Sequence, residues 1–133
     1  MKKKTYKNLQ NNIRTLKTPN IDVWKNQYSD KDYVIELENR EFTCVCPKTG
    51  LPDFATITLR YSPDKTCIEL KSLKMYMLSF RNMGIFHEHV INRILDDLVK
   101  ACKPRYVYIK GEFGVRGGIK TVVESEYKGS GAC

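Results

Sequence analysis

The period of the apolar residues changes twice along this chain, and the order of those changes limits what it can fold into. In "FATITLRY", residues 54–61, Ala55, Ile57, Leu59 and Tyr61 alternate with Thr56, Thr58 and Arg60. That is the two-residue period of a strand with one buried face. In "KSLKMYMLSFRN" the spacing widens to Leu73, Tyr76, Met77 and Phe80, the period of an amphipathic helix, with Asn82 and Gly84 as its stop. "FHEHVINRILDDLVKAC" carries a second stripe of Ile91, Ile94, Leu95, Leu98, Val99 and Cys102, and Pro104 ends it. "YVYIKGEF" and "IKTVVESEY" then return to strands, joined by a turn holding Arg116, Gly117 and Gly118. Upstream, "YVIEL" and "FTCVC" form a first strand kinked at Asn39 and Arg40.

The order strand, strand, helix, helix, strand, strand predicts an α+β domain, a four-stranded antiparallel sheet with two helices on one face. A sheet this small has exposed edges, which favour pairing with further subunits, so a homo-oligomer is expected. At 133 residues the chain holds one core. The charge divides it further. Of the net +8, residues 1–32 contribute eight Lys or Arg against three Asp, a net of +5. This predicts a basic arm over 1–32 and a folded domain over 33–133. The arm reads as a solvated extension, and the aromatic and zinc-finger signatures of nucleic-acid binding are missing, so no direct nucleic-acid contact is expected. With no long apolar run and no apolar segment after "MKKK", neither a membrane span nor a secretory leader is expected, which implies a cytoplasmic protein.

Five cysteines stand at 44, 46, 67, 102 and 133, an odd number that builds no disulfide framework. No second paired-cysteine motif follows Cys44 and Cys46. On a helix His87 and His89 point about 200° apart, so no metal site is expected.

"CVCPKTGLPDF" carries the clearest chemistry. Pro47, Gly50 and Pro52 make a tight loop with Cys46 and Asp53 at its ends, bringing a thiol and a carboxyl together as covalent catalysis needs. Each residue alone has a bland reading, a small core cysteine and a turn aspartate. Glu69 and Glu88 sit in apolar surroundings and either accept paired donors from a guanine-like edge or cap a helix. Lys71 and Lys74, with Lys48 and Arg116 elsewhere, are candidates for phosphate or for a solvated face. No Gly-x-Gly-x-x-Gly follows a strand, which excludes a Rossmann dinucleotide site.

"ELKSLKMY", 69–76, resembles the signature block of the QueF family of NADPH-dependent nitrile reductases, and "CPKTGLPDFA" and "FRNMGIFHEHVINRI" resemble its other two blocks in the same order. The likeness runs over roughly 33–119 and is closest to the single-module branch. It implies a tunnelling fold (T-fold), with sheets of several subunits closed into barrels, two face-to-face rings of five, and active sites between subunits. It also implies a reaction, the four-electron reduction of 7-cyano-7-deazaguanine to 7-aminomethyl-7-deazaguanine by two NADPH, on the route to the tRNA nucleoside queuosine. By the resemblance Cys46 is the nucleophile that forms a thioimidate and Asp53 the proton donor. Glu88, His87 and Phe86 meet the deazapurine, and Ile68, Glu69 and Leu70 line it from a neighbouring subunit. Leu70 stands where many members have serine. Lys71, Lys74 and Arg116 are implied to hold NADPH. Two other readings remain open at this point: a cyclohydrolase-like T-fold enzyme on a purine or pterin, and a non-catalytic module binding a deazapurine or polyanion.

Overall fold

The computed structural model describes residues 10–129. Lys2, Lys3, Lys4, Lys7 and Cys133 lie outside the described residues. Along the chain come a 3-10 segment, Gln10–Thr15, then strands β1 (Val23–Lys25), β2 (Ile35–Val45), β3 (Pro52–Ser62) and β4 (Thr66–Ile68). Helices α1 (Leu70–Leu78) and α2 (His87–Cys102) follow, and strands β5 (Tyr106–Arg116) and β6 (Ile119–Lys128) complete the set. The main sheet is antiparallel in the order β2-β3-β5-β6, and β1 pairs with β4 in a second, two-stranded sheet.

Alternation decides the faces. On β3, Asp53, Ala55, Ile57, Leu59 and Tyr61 are all buried, and on β5 so are Val107, Ile109, Gly111 and Phe113. These rows share one core with Leu73, Tyr76 and Met77 of α1 and with Val90, Ile91, Ile94, Leu95 and Leu98 of α2. Both helices thus cover the same face of the sheet, as the sequence predicts. At Gly111 a Cβ would come within 2.5 Å of Ile91 Cδ1, so the missing side chain lets α2 approach the middle of β5. The kink in β2 is a register shift between Asn39 and Phe42. The β5–β6 hairpin turns through Gly117 (φ 56°) and Gly118 (φ 79°), the two left-handed positions of a two-residue turn matched to strand twist.

Two expectations need adjustment. The first helix ends at Leu78, not Asn82, because the Ser79 hydroxyl donates to the Tyr76 carbonyl at 2.6 Å and the following amides close tighter turns. The segment read as a solvated arm is packed from residue 10 onward: β1 lies within it, and Ile13, Leu16 and Ile21 rest against the core.

The turn between the helices positions the site. Val45 N–H donates to Met83 O, and Ile85 N–H donates to Val45 O, each at 3.0 Å. This short parallel bridge lays residues 83–85 along the end of β2, so α2 starts beside the strand that leads into Cys46. No described helix is long and apolar enough to cross a membrane.

Candidate active site

Cys46 follows directly on β2 and opens the loop. Its N–H donates to Leu51 O at 2.9 Å and its carbonyl accepts from Gly50 N–H at 2.8 Å. Gly50, at φ 73°, supplies the left-handed step that closes the circuit. The loop curls around the sulfur. Partial burial pushes the Cys46 thiol up, but the Thr49 hydroxyl and the backbone N–H groups of Thr49 and Lys48 donate to it and outweigh that, while Asp53 opposes them, so the net shift is downward. Successive N–H groups aimed at one atom form a small anion nest. Cys44, two residues back, is buried, and burial pushes its thiol up to about 12, with the charges of Asp53 and Cys46 adding to the effect. Of the two cysteines, Cys46 has the environment that favours the thiolate.

Asp53 pairs with Cys44 across β2 and β3, and alternation turns it into the helix-covered face, where it is 5% exposed. Two partners hold its carboxyl there. His87 Nε2 lies 3.1 Å from Oδ2, and Arg116 Nε lies 3.0 Å from Oδ1. His87 is the first residue of α2, and its ring stacks on Phe113 with centroids 3.8 Å apart and planes 10° from parallel. Phe113 pairs with Ala55, so the stacking surface and Asp53 occupy neighbouring positions of one sheet face. Arg116 also donates to the Pro52 carbonyl. Glu88, in the same first helical turn as His87, is exposed, and Phe86 is the N-cap residue just before it.

Cys46, Asp53, His87 and Arg116 therefore gather around the β2–β3 loop, with Phe86 and Glu88 alongside. Ile68, Glu69, Leu70, Lys71 and Lys74 gather elsewhere, at the end of β4 and along α1. No hydrogen bond or ion pair among the described residues joins the two groups. In the second group the Ile68 side chain is buried and its N–H donates to Tyr61 Oη at 3.0 Å. Glu69 caps α1: its carboxylate accepts from Lys71 N–H at 2.7 Å and Ser72 N–H at 2.8 Å, which holds it below the usual carboxylate range. Leu70, Lys71 and Lys74 are exposed.

Thr49, Phe113 and the Arg116–Asp53 pair are the participants that sequence reasoning missed. Thr49 left a signal, a hydroxyl inside a tight loop beside a cysteine. Phe113 left none, and Arg116 stood out as a phosphate candidate but not as a partner of Asp53, because both placements depend on tertiary packing. His87 and His89 have separate partners, Asp53 and Gln10, and among the described residues no group of His, Cys, Asp and Glu is arranged to hold a metal ion.

The chain as a whole is similar to known proteins. The NADPH-dependent 7-cyano-7-deazaguanine reductase of Chlorobaculum tepidum is 62% identical over 110 residues, covering 83% of this chain and 94% of that protein. The enzyme of that name from Elusimicrobium minutum is 55% identical over 112 residues and 84% of each chain. The one from Nitrosococcus oceani is 53% identical over 111 residues, 84% of this chain and 86% of that protein. A crystal structure of the archaeosine synthase QueF-Like in the apo form superimposes with a TM-score of 0.66 at 24% identity, over 70% of this chain and 91% of that one, which establishes a shared fold. The family model described as QueF-like protein matches residues 52–131, and with those relatives it shows that the chain belongs to the QueF family.

Proposed function

We propose that this chain is a cytoplasmic NADPH-dependent nitrile reductase that converts 7-cyano-7-deazaguanine to 7-aminomethyl-7-deazaguanine for queuosine synthesis. The observation that carries the reading is the site itself. A thiol poised for ionisation by three donors stands by a carboxyl held on both oxygens by His87 and Arg116, in a chain whose relatives bear that enzyme name.

The chemistry explains why both groups are needed. A nitrile carbon accepts hydride poorly, because the charge would collect on a nitrogen with nothing to neutralise it. The Cys46 thiolate forms a C–S bond to that carbon, one C–N π bond breaks, and its electron pair takes a proton from Asp53. The product is a thioimidate, whose C=N is a better acceptor. His87, 3.1 Å from Asp53 Oδ2, gives the carboxyl a new proton after each transfer and takes its own replacement from solvent. Two molecules of NADPH, bound in turn, would each supply one hydride, the first to the thioimidate and the second to the imine. Cys46 leaves between them, taking the C–S electron pair, and each reduction places one further proton on nitrogen.

Glu88 is exposed on the first turn of α2, available to accept paired N–H donors of the deazaguanine, and Phe86 lies beside it. Ile68, Glu69 and Leu70 complete the pocket from a neighbouring copy. Buried Ile68 contributes backbone, capping Glu69 contributes what its helix leaves free, and Leu70 contributes an apolar surface. Their separation from Cys46 within one chain supports that division. Exposed Lys71 and Lys74 fit NADPH phosphates. Arg116, engaged with Asp53, fits that role only if the phosphate competes for it. Exposed Leu51, Phe54, Val115 and Ile119, together with two open sheet edges, support assembly into rings, with two rings of five as the expected form.

The test is stoichiometry. Purified protein, 7-cyano-7-deazaguanine and NADPH should yield the aminomethyl product with two NADPH oxidised per nitrile. Binding of the deazapurine without NADPH oxidation would replace the reading with a binding module.

A further inference from the structure

We infer that Gln10, in the segment preceding the catalytic domain, is a positioning residue that sets the placement of His87 and Glu88. The inference rests on the roles given to those two residues above, and Gln10 lies outside the residues 52–131 that the family model matches.

Helix α2 starts without a side-chain cap, because its N-cap residue is Phe86. Something else must fix its first turn, since end groups without partners fray. On one side the turn before it is tied to β2 through Val45. On the other side stands the Gln10 amide. Its Nε2 donates to Gly84 O at 2.5 Å, and its Oε1 accepts from Phe86 N–H at 3.3 Å. Gly84 O can only accept and Phe86 N–H can only donate, so these two partners fix the orientation of the amide. His89 Nδ1 lies 3.0 Å from the same Oε1 and must therefore carry a proton there. One side chain thus holds residues immediately before, at and just after the start of the helix that carries His87 and Glu88.

Gln10 is itself anchored further along α2. Arg93, only 7% exposed, donates to Ile13 O at 2.6 Å, Leu16 O at 2.5 Å and Thr18 Oγ1 at 3.2 Å. Its Nε donates to Asp97 Oδ2 at 2.7 Å, and the Tyr76 hydroxyl donates to the same oxygen. A buried guanidinium with its donors so distributed is a rigid fixture. The N-terminal segment spans from that fixture to the helix start, and β2 clamps the opposite side of the turn. The turn joins the thiol-bearing strand to the helix bearing His87, so a loosened brace changes how far His87 and Glu88 stand from Cys46.

The test compares Gln10→Met, which keeps the volume and removes the hydrogen bonds, and Gln10→Ala with the wild type at matched thermal midpoints. Three readouts are taken: the rate of Cys46 adduct formation with 7-cyano-7-deazaguanine without NADPH, the steady-state KM values for the deazapurine and NADPH, and hydrogen exchange at the Phe86 amide. The expected result is adduct formation slowed by about tenfold, the deazapurine KM raised and the NADPH KM unchanged, with faster Phe86 exchange. A merely structural role would move both KM values together. Adduct formation and deazapurine KM within about twofold of wild type would overturn the inference. If the wild type forms no adduct, the reductase reading fails, and the exchange measurement still decides the brace: unchanged Phe86 protection in Gln10→Met overturns it.

Discussion

His87 Nε2 lies 3.1 Å from Oδ2 of Asp53, while Arg116 Nε lies 3.0 Å from the other oxygen, Oδ1. Neither oxygen is left to rotate, so a proton on Asp53 would leave in a fixed direction, as the proposed acid role requires. Asp53→Asn keeps the shape but cannot deliver a proton. Adduct formation should fall by at least about 100-fold, the low end of what general acid catalysis contributes, with deazapurine binding measured by calorimetry retained. An unchanged rate would remove Asp53 as the acid.

Arg116 can act on Asp53 or on the dinucleotide, and the two roles separate cleanly. If its ion pair with Asp53 matters, Arg116→Ala slows adduct formation in the absence of NADPH. If it serves only a phosphate, the adduct rate is untouched and only the NADPH KM rises. The 3.0 Å contact favours the first outcome, measured by stopped-flow mixing with the nitrile alone.

The nest around Cys46 has a pH signature. Because the folded thiol is shifted downward, the thiolate fraction, read as the rate of Cys46 alkylation by iodoacetamide without substrate, should rise with pH and reach half its plateau below the midpoint of the same thiol in the unfolded chain. Thr49→Val removes the hydroxyl donor and should move that midpoint up. Asp53→Asn removes a charge that pushes the thiol up, so it should move that alkylation midpoint down even as adduct formation with the nitrile slows. A wild-type midpoint at or above that of the unfolded chain would contradict the nest.

Gly111 tests the packing that seats α2. Gly111→Ala drives a Cβ into Ile91 Cδ1 and Cγ1, 2.5 and 2.9 Å away, and should cost about 1–3 kcal/mol by overpacking. Adding Ile91→Val, which removes Cδ1, should recover part of that loss in denaturant unfolding. Additive effects in the double variant would mean the clash is relieved elsewhere.

Much of this architecture is legible in the residues because it rests on period. The rows Ala55–Ile57–Leu59–Tyr61 and Ile91–Ile94–Leu95–Leu98 state their own buried faces, and Gly117–Gly118 announces a hairpin. β1 is not legible: Val23–Lys25 is three exposed residues, too short to show alternation. The apolar period runs past the end of α1 because Phe80 keeps the helical spacing, while the Ser79 hydroxyl bond at the helix end leaves no periodic trace. The pairing of Asp53 with Cys46 is legible as a thiol and a carboxyl at the two ends of one loop, but that Asp53 is the first inward position of β3 is not. Its partners His87 and Arg116 come from a helix start and a hairpin end that only tertiary packing brings together.

The most direct test of the central claim, that Cys46 attacks the nitrile, is intact-protein mass spectrometry after mixing with 7-cyano-7-deazaguanine in the absence of NADPH, followed by peptide mapping. The account predicts a gain of one substrate mass on the peptide containing Cys46, with the site assigned to Cys46 by fragmentation and lost in Cys46→Ala. Bound substrate with no mass gain, or a gain that survives in Cys46→Ala and maps to Cys44, would contradict it.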